Sequence, residues 1–407
     1  MKRRPLAQWL LLLLLLSACQ EKKEEAGIPA GAWPLTYIRH LYIGGMADSV
    51  PGAFVFDTGA NGLYLDSTYY AGGAFSHANF LPARLPGAGT SLQHIRIIKD
   101  TVNFRFADCD RRSSRVAVMQ LKPILGDYAD GILGMDFFFG SVLEINYERE
   151  YYRLYPCIDS ADLSGFTRIG LIKRNGRLFL PLEVQITDSL LIQGEFELDL
   201  GSAGSVTLTS PTAAKYDLLN RVKDKIPYYT RYGGVGGESS NYDFFAASVG
   251  LGGFVFDSVF MEFSNDRAGA LSSEKYTGLL GNRIMERFDV VIDFINNDLY
   301  LRPNRMYSEA FRISRPGFAW ADRSRTLGSW TVTGLYRDSQ AEKSGLMIDD
   351  QILAVNEIGV KQIGFRQQKN YFDGLEEVRL LIKRNDRTME ICFRLPGSGT
   401  GKGNLKK

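Results

Sequence analysis

Histidine is nearly absent, with three residues in a chain of 407, and neither histidine nor cysteine recurs at metal-ligand spacing. Chemistry built on a bound metal is therefore not where this sequence points, and no cofactor is implied. An excess of either charge is missing too: 48 Lys and Arg stand against 46 Asp and Glu, a formal net charge of +2. Without a basic field nothing holds a polyanion, which removes nucleic acid from the expected partners. What the chain has instead is 42 Gly, 25 Phe and 20 Tyr in a composition 45% hydrophobic and 23% charged. Those proportions belong to a globular protein of two or three domains, richer in strands and tight turns than in long helices.

Residues 1–19 read as a targeting segment. Lys2, Arg3 and Arg4 precede an unbroken apolar run from Leu10 to Leu16, and Leu16-Ser17-Ala18-Cys19 closes it. The run falls short of the roughly 20 apolar residues of a membrane span and has the basic, apolar, small-residue order of an export signal. The string LSAC resembles the lipobox of bacterial lipoproteins. That resemblance implies cleavage before Cys19, lipidation of its thiol and anchoring in the cell envelope, on the periplasmic or the surface face. The alternative is an ordinary secretory signal in which Cys19 is incidental. Residues 20–30, opening with the charged string QEKKEEAG, are expected to be a disordered tether. With Cys19 set aside, Cys109, Cys157 and Cys392 remain, an odd set that allows a Cys109–Cys157 pair or three buried free thiols.

Most of the remaining chain is a duplication. GAFVFDTGANGLYLDS (52–67) matches GEFELDLGSAGSVTLTS (194–210), which sets Asp57 against Asp199. Farther on, DGILGMDFFFGSVLEINYEREYYRLYP (130–156) matches TGLLGNRIMERFDVVIDFINNDLYLRP (277–303). PGAGT (86–90) and GGVGG (233–237) lie between these landmarks in the same order. One lobe is thus expected over residues 31–158 and its copy over 165–305, joined by the polar stretch 159–165. Phe54, Phe56, Leu63 and Leu65 alternate with smaller or polar residues, as do Phe196, Leu198, Val206 and Leu208, so each aspartate should begin a turn between two strands. Gly59 and Gly201 are expected to take positive φ where the chain reverses.

The string from Phe56 to Ala60, FDTGA, followed downstream by Gly131-Ile132-Leu133-Gly134, resembles the aspartic-protease pattern; LDLGS and GLLG repeat it in the second lobe. The resemblance implies two β lobes facing each other across a cleft, with Asp57 and Asp199 as a catalytic dyad supported by Thr58, Gly59, Gly201 and Ser202. Two carboxylates a few ångströms apart share one proton, so one can activate water while the other donates to the carbonyl oxygen. The glycine-rich loops, with Gly87 and Gly89 in one and Gly234 and Gly236 in the other, resemble the paired flaps of retropepsins, and Tyr232 beside the second could lean over a substrate. Two departures stand out. Leu200 occupies the place of a second Thr, whose hydroxyl in that family crosses to the opposite lobe. Ala60 lacks the hydroxyl that Ser202 keeps, which makes Asp199 the candidate for the more acidic member.

In residues 306–396 the string SQAEKSGLMIDDQILAVNEIGV (339–360) resembles a PDZ domain. A short helix opening at Ala341 and Glu342, ending at Ser344-Gly345-Leu346, should precede a strand from Asp350 to Asn356. That family adds an extended peptide to a sheet edge, and Gly317-Phe318 is the candidate carboxylate loop. The Gly- and Lys-rich tail, 397–407, is expected to be disordered. The fold class that emerges is mainly β: two duplicated aspartic-protease-like lobes plus a PDZ-like α+β domain. The expected activity is hydrolysis of an extended peptide or unfolded protein; the alternative is a non-catalytic peptide-binding lipoprotein with a degenerate cleft.

Overall fold

Successive side chains on a strand point to opposite faces, so Phe54 and Phe56 turn together into the interior while Val55 and Asp57 share the other side. A computed structural model gives this arrangement for residues 27–395, except 86, 88, 90, 314 and 315. The targeting segment with Cys19, most of the tether, the tail, and Pro86, Ala88 and Thr90 of the first glycine loop lie outside the described residues. The protein is mainly β, with its strands in two large sheets.

Both halves use the same local device. The Gly131–Gly134 strand runs parallel to Val50–Asp57, with Leu133 opposite Phe56, and antiparallel to Leu63–Asp66. In the second half Gly278–Leu280 lies likewise between Leu190–Leu198 and Val206–Leu208. Glycine opens each inserted strand because there is no room for more: a Cβ on Gly131 would lie 2.8 Å from the Phe54 ring, and one on Gly278 2.8 Å from the Phe196 ring. Any larger residue would force the three strands apart.

The halves meet through their own copies. Val142–Asn146 pairs antiparallel with Phe288–Asp293, and Glu144 opposes Val291. Those two residues are equivalent positions of the repeat, so a pseudo-twofold axis passes between them. One apolar core runs through both halves, from Leu35 to Phe311, with Phe54, Phe56, Phe138, Phe196 and Phe288 fully buried. Each such ring contributes on the order of 1.5–3 kcal/mol by leaving water.

Residues Phe318 to Leu395 enclose a separate core around Trp330, Val332, Ile352 and Ile382. Within it the helix Gln340–Lys343 is capped by Ser339, whose Oγ accepts from the Glu342 N–H at 3.1 Å, and Gln351–Val355 is a strand. This C-terminal unit is stitched to the second lobe: Ser329–Tyr336 pairs with Lys225–Thr230, the strand that leads into the second glycine loop. Cys109, Cys157 and Cys392 are all unpaired. The expectation of buried thiols is corrected, since Cys157 and Cys392 are exposed and Cys109 is half-buried.

Candidate active site

Each aspartate ends or follows a central strand and turns its carboxyl back onto its own loop. Asp57 Oδ1 accepts from the Gly59 N–H at 2.7 Å; Asp199 Oδ1 accepts from Gly201 at 2.9 Å and Ser202 at 3.1 Å. The pseudo-twofold axis brings the two carboxyls together, and they hydrogen-bond to each other. Burial, then the neighbouring Asp199, hold Asp57 well above the usual carboxylate range, against the pull of the Gly59 N–H. Burial also raises Asp199, but two N–H donors, the Arg177 guanidinium and the hydrogen bond with Asp57 oppose it. Two adjoining carboxyls so placed titrate as a pair and not as two independent groups.

Gly59 and Gly201 are required for a reason other than the expected one. Neither has positive φ. Instead each lies against the opposite aspartate: a Cβ on Gly201 would come to 2.6 Å from Asp57 Oδ2, and one on Gly59 to 2.9 Å from Asp199 Oδ1. The glycines make the space in which the carboxyls meet.

Thr58 crosses the axis. Its buried Oγ1 donates to the Leu198 carbonyl at 2.5 Å and accepts from the Leu200 N–H at 2.8 Å, tying the first turn to the strand carrying Asp199. Leu200 has no hydroxyl to return the contact and is fully buried in the apolar core. Its carbonyl is taken by Asn282 Nδ2 at 2.6 Å, which also reaches the Ser202 carbonyl at 3.2 Å; the Tyr147 hydroxyl donates to Asn282 Oδ1 at 2.9 Å. Asn282 directly follows GLLG, where the first lobe has Met135, and only comparison of the two copies could have singled it out. His40 borders the Gly201 carbonyl and is pushed down to about 4, by burial and then by Arg39, so its ring is neutral at neutral pH.

The glycine loops come together. Gly89 N–H donates to the Val235 carbonyl at 3.1 Å and Ser91 N–H to Gly236 at 2.7 Å. Gly234 and Gly236 adopt φ of 117° and 112°, which a side chain would resist. Val235 packs on the first lobe's apolar face beside Met119, Leu121 and Ile132. Tyr232 turns elsewhere than expected: its hydroxyl donates to Asp349 of the C-terminal unit at 3.2 Å, beside the Arg231–Asp349 ion pair.

Gly317 and Phe318 belong to the C-terminal unit. Gly317 has φ 75° and its carbonyl accepts from the Tyr336 N–H at 3.1 Å, while Phe318 is buried in that unit's core. The strand they open, Phe318–Arg323, has one edge on Ser329–Tyr336. Its other edge is met by the first lobe, since the Asp127 N–H donates to the Asp322 carbonyl at 2.6 Å. The Asp127 carboxylate accepts from Arg323 Nε at 2.9 Å and from the Thr326 N–H at 2.7 Å. Phe365 stacks on Tyr128 with ring centroids 4.0 Å apart.

Among the described residues no three His, Cys, Asp or Glu side chains converge as a metal site. The chain matches no family model and no curated protein. Among solved structures it is similar to the aspartic proteinase from Irpex lacteus, with 14% identity, 69% of this chain and 98% of that chain covered, and a TM-score of 0.42. A likeness at that level says nothing about chemistry, which rests on the carboxyl pair itself.

Proposed function

We propose that this chain is an aspartic endopeptidase of the bacterial cell envelope. The observation that carries the reading is the adjoining, half-buried Asp57–Asp199 carboxyl pair on two duplicated turns, both carboxyls lining the space left by Gly59. Asp199, ionised, takes a proton from a water held between the carboxyls, and that water attacks the scissile carbonyl carbon. Asp57 gives its proton to the carbonyl oxygen, producing a neutral gem-diol. Collapse of the diol breaks the C–N bond, with the proton gained by Asp199 passing to the leaving nitrogen and a diol proton returning to Asp57. The joined glycine loops supply a lid that an extended peptide would displace and then be covered by.

Asp57→Asn and Asp199→Asn should each abolish hydrolysis of an internally quenched peptide library while leaving peptide binding within a few-fold, and a statine-type transition-state mimic should block the wild type. Wild-type protein that binds such peptides at pH 3–7 but cleaves none would establish the non-catalytic binding reading in its place.

Two further elements of the proposal concern delivery. The LSAC string supports a lipid anchor on Cys19, and a Cys19→Ser chain should leave the membrane fraction; retention there would refute the anchor. The PDZ-like C-terminal unit is assigned peptide capture along Phe318–Arg323 near Gly317–Phe318. Because Asp127 meets that edge, Asp127→Ala should tighten peptide binding there, and an unchanged affinity would count against capture at this edge.

A further inference from the structure

The two copies differ two residues before their aspartates. Side chains at i and i+2 share a face of a strand, so Val55 lies on the face of Asp57 and Glu197 on the face of Asp199. Val55 sits in an apolar cluster with Tyr42 and Ala129. Glu197 is only 1% exposed; its Oε1 is paired with Arg177 Nη1, and its Oε2 has no hydrogen-bond partner.

Arg177 connects this pair to solvent and to the dyad. Its side chain is 40% exposed, and its charge acts on Asp199, on Tyr64 of the first lobe and on Tyr276 of the second. The hairpin carrying it reaches the other lobe at Gly176, which approaches Asn61 Nδ2, four residues past Asp57. A guanidinium offers five N–H donors in a planar fork. Glu197 engages one end of that fork, and the side chain is otherwise part-exposed.

We propose that Arg177, held in place by Glu197, is the specificity-determining residue of a subsite on the second-lobe side of the dyad, taking substrate side chains that end in a carboxylate or carboxamide. This rests on the peptidase reading of Asp57 and Asp199. A peptide centred on a pseudo-twofold dyad presents one flanking side chain to each lobe. On the first-lobe side Val55 stands where the second lobe has Glu197, so the flanking side chain there should be apolar. On the second-lobe side Glu, Gln, Asp or Asn can take the free donors of Arg177 in a bidentate or single contact, whereas Lys or Arg meets like charge. Glu197 is suited to stand behind an incoming carboxylate. Burial, with Arg177 opposing and Asp199 reinforcing, pushes it up to about 7, so it can take up a proton instead of leaving two carboxylates on one cation.

The test uses full-length protein and peptidomimetics whose central hydroxyethylene isostere pins the register on the dyad, with Glu, Gln, Leu or Lys varied on one side of the isostere at a time. Calorimetry should show the Glu and Gln probes binding about tenfold or more tighter than Leu or Lys, on one side only, as charge-assisted hydrogen bonds allow. Arg177→Gln should bring the four within about threefold, Arg177→Lys should keep part of the preference, and Glu197→Gln should keep it, with thermal melts confirming that each variant folds. Equal affinity of the Glu and Leu probes for the wild type, or no binding of any probe, overturns the subsite. A preference unaltered in a folded Arg177→Gln protein does so as well. Cleavage of the matching peptides by wild type is scored separately: cleavage without discrimination sinks the subsite and leaves the peptidase reading intact. Discrimination without cleavage does the reverse.

Discussion

Replacing Thr58 by valine keeps the side-chain shape and removes one oxygen, the atom that both donates to the Leu198 carbonyl at 2.5 Å and accepts from the Leu200 N–H at 2.8 Å. Thr58, Leu198 and Leu200 are all fully buried, so water cannot replace the lost contacts. A buried polar group left unpaired costs about 1–3 kcal/mol, and two of them, with some relaxation, about 2–5 kcal/mol. For lobes of this size each kcal/mol moves the melting temperature by roughly 2–4 °C, so the variant should melt roughly 5–15 °C lower. Activity should fall further than stability explains, because the bond holds the first aspartate turn against the second strand. A displacement of about 1 Å at the reacting groups is enough for a loss on the order of a hundredfold. The assay pairs a thermal melt with kcat on a quenched peptide measured well below the variant's melting point. Thr58→Ser, which retains the oxygen, should restore most of both. A valine variant melting within about 2 °C of wild type with unchanged kcat would refute the cross-lobe role of this hydroxyl.

Gly201→Ala should inactivate more severely than Gly59→Ala, since its methyl would lie 2.6 Å from Asp57 Oδ2 against 2.9 Å from Asp199 Oδ1 for the other; equal kcat values would contradict the steric account. The pH dependence of stability carries a third prediction. Glu197 is raised from 4.5 to about 7, with burial the largest cause, so the native state binds this proton more tightly than the unfolded chain does. The resulting stability is fully present below pH 4.5 and lost as pH rises through about 7. Denaturant titrations at several pH values should therefore show Glu197→Gln gaining on wild type across that window, and parallel curves would be the refuting result.

The repeat by itself determined much of this protein. Period-two alternation around Phe54-Phe56 and Phe196-Leu198 reports which side of a strand is buried, because that is a local property of the chain. Two copies of Asp-x-Gly, each followed by apolar-apolar-Gly, then pick out Asp57 and Asp199; that each Gly-led segment is a strand inserted between its neighbours came from the fold. The short helix at Ala341 and Glu342 and the strand Gln351–Val355 were legible for the same local reason. What an amino acid does across the axis was not. Gly59 and Gly201 read locally as turn glycines, yet their missing Cβ atoms make room for the opposite lobe's carboxylate, a neighbour about 140 residues away in sequence. Tyr232 and Asp349, Asp127 and Arg323, and the union of Lys225–Thr230 with Ser329–Tyr336 depend on how three separately patterned units dock. Arg177 reaches Glu197 because antiparallel pairing sets Phe179 opposite it. Periodicity tells a residue which way to face; only the packed structure decides what it faces.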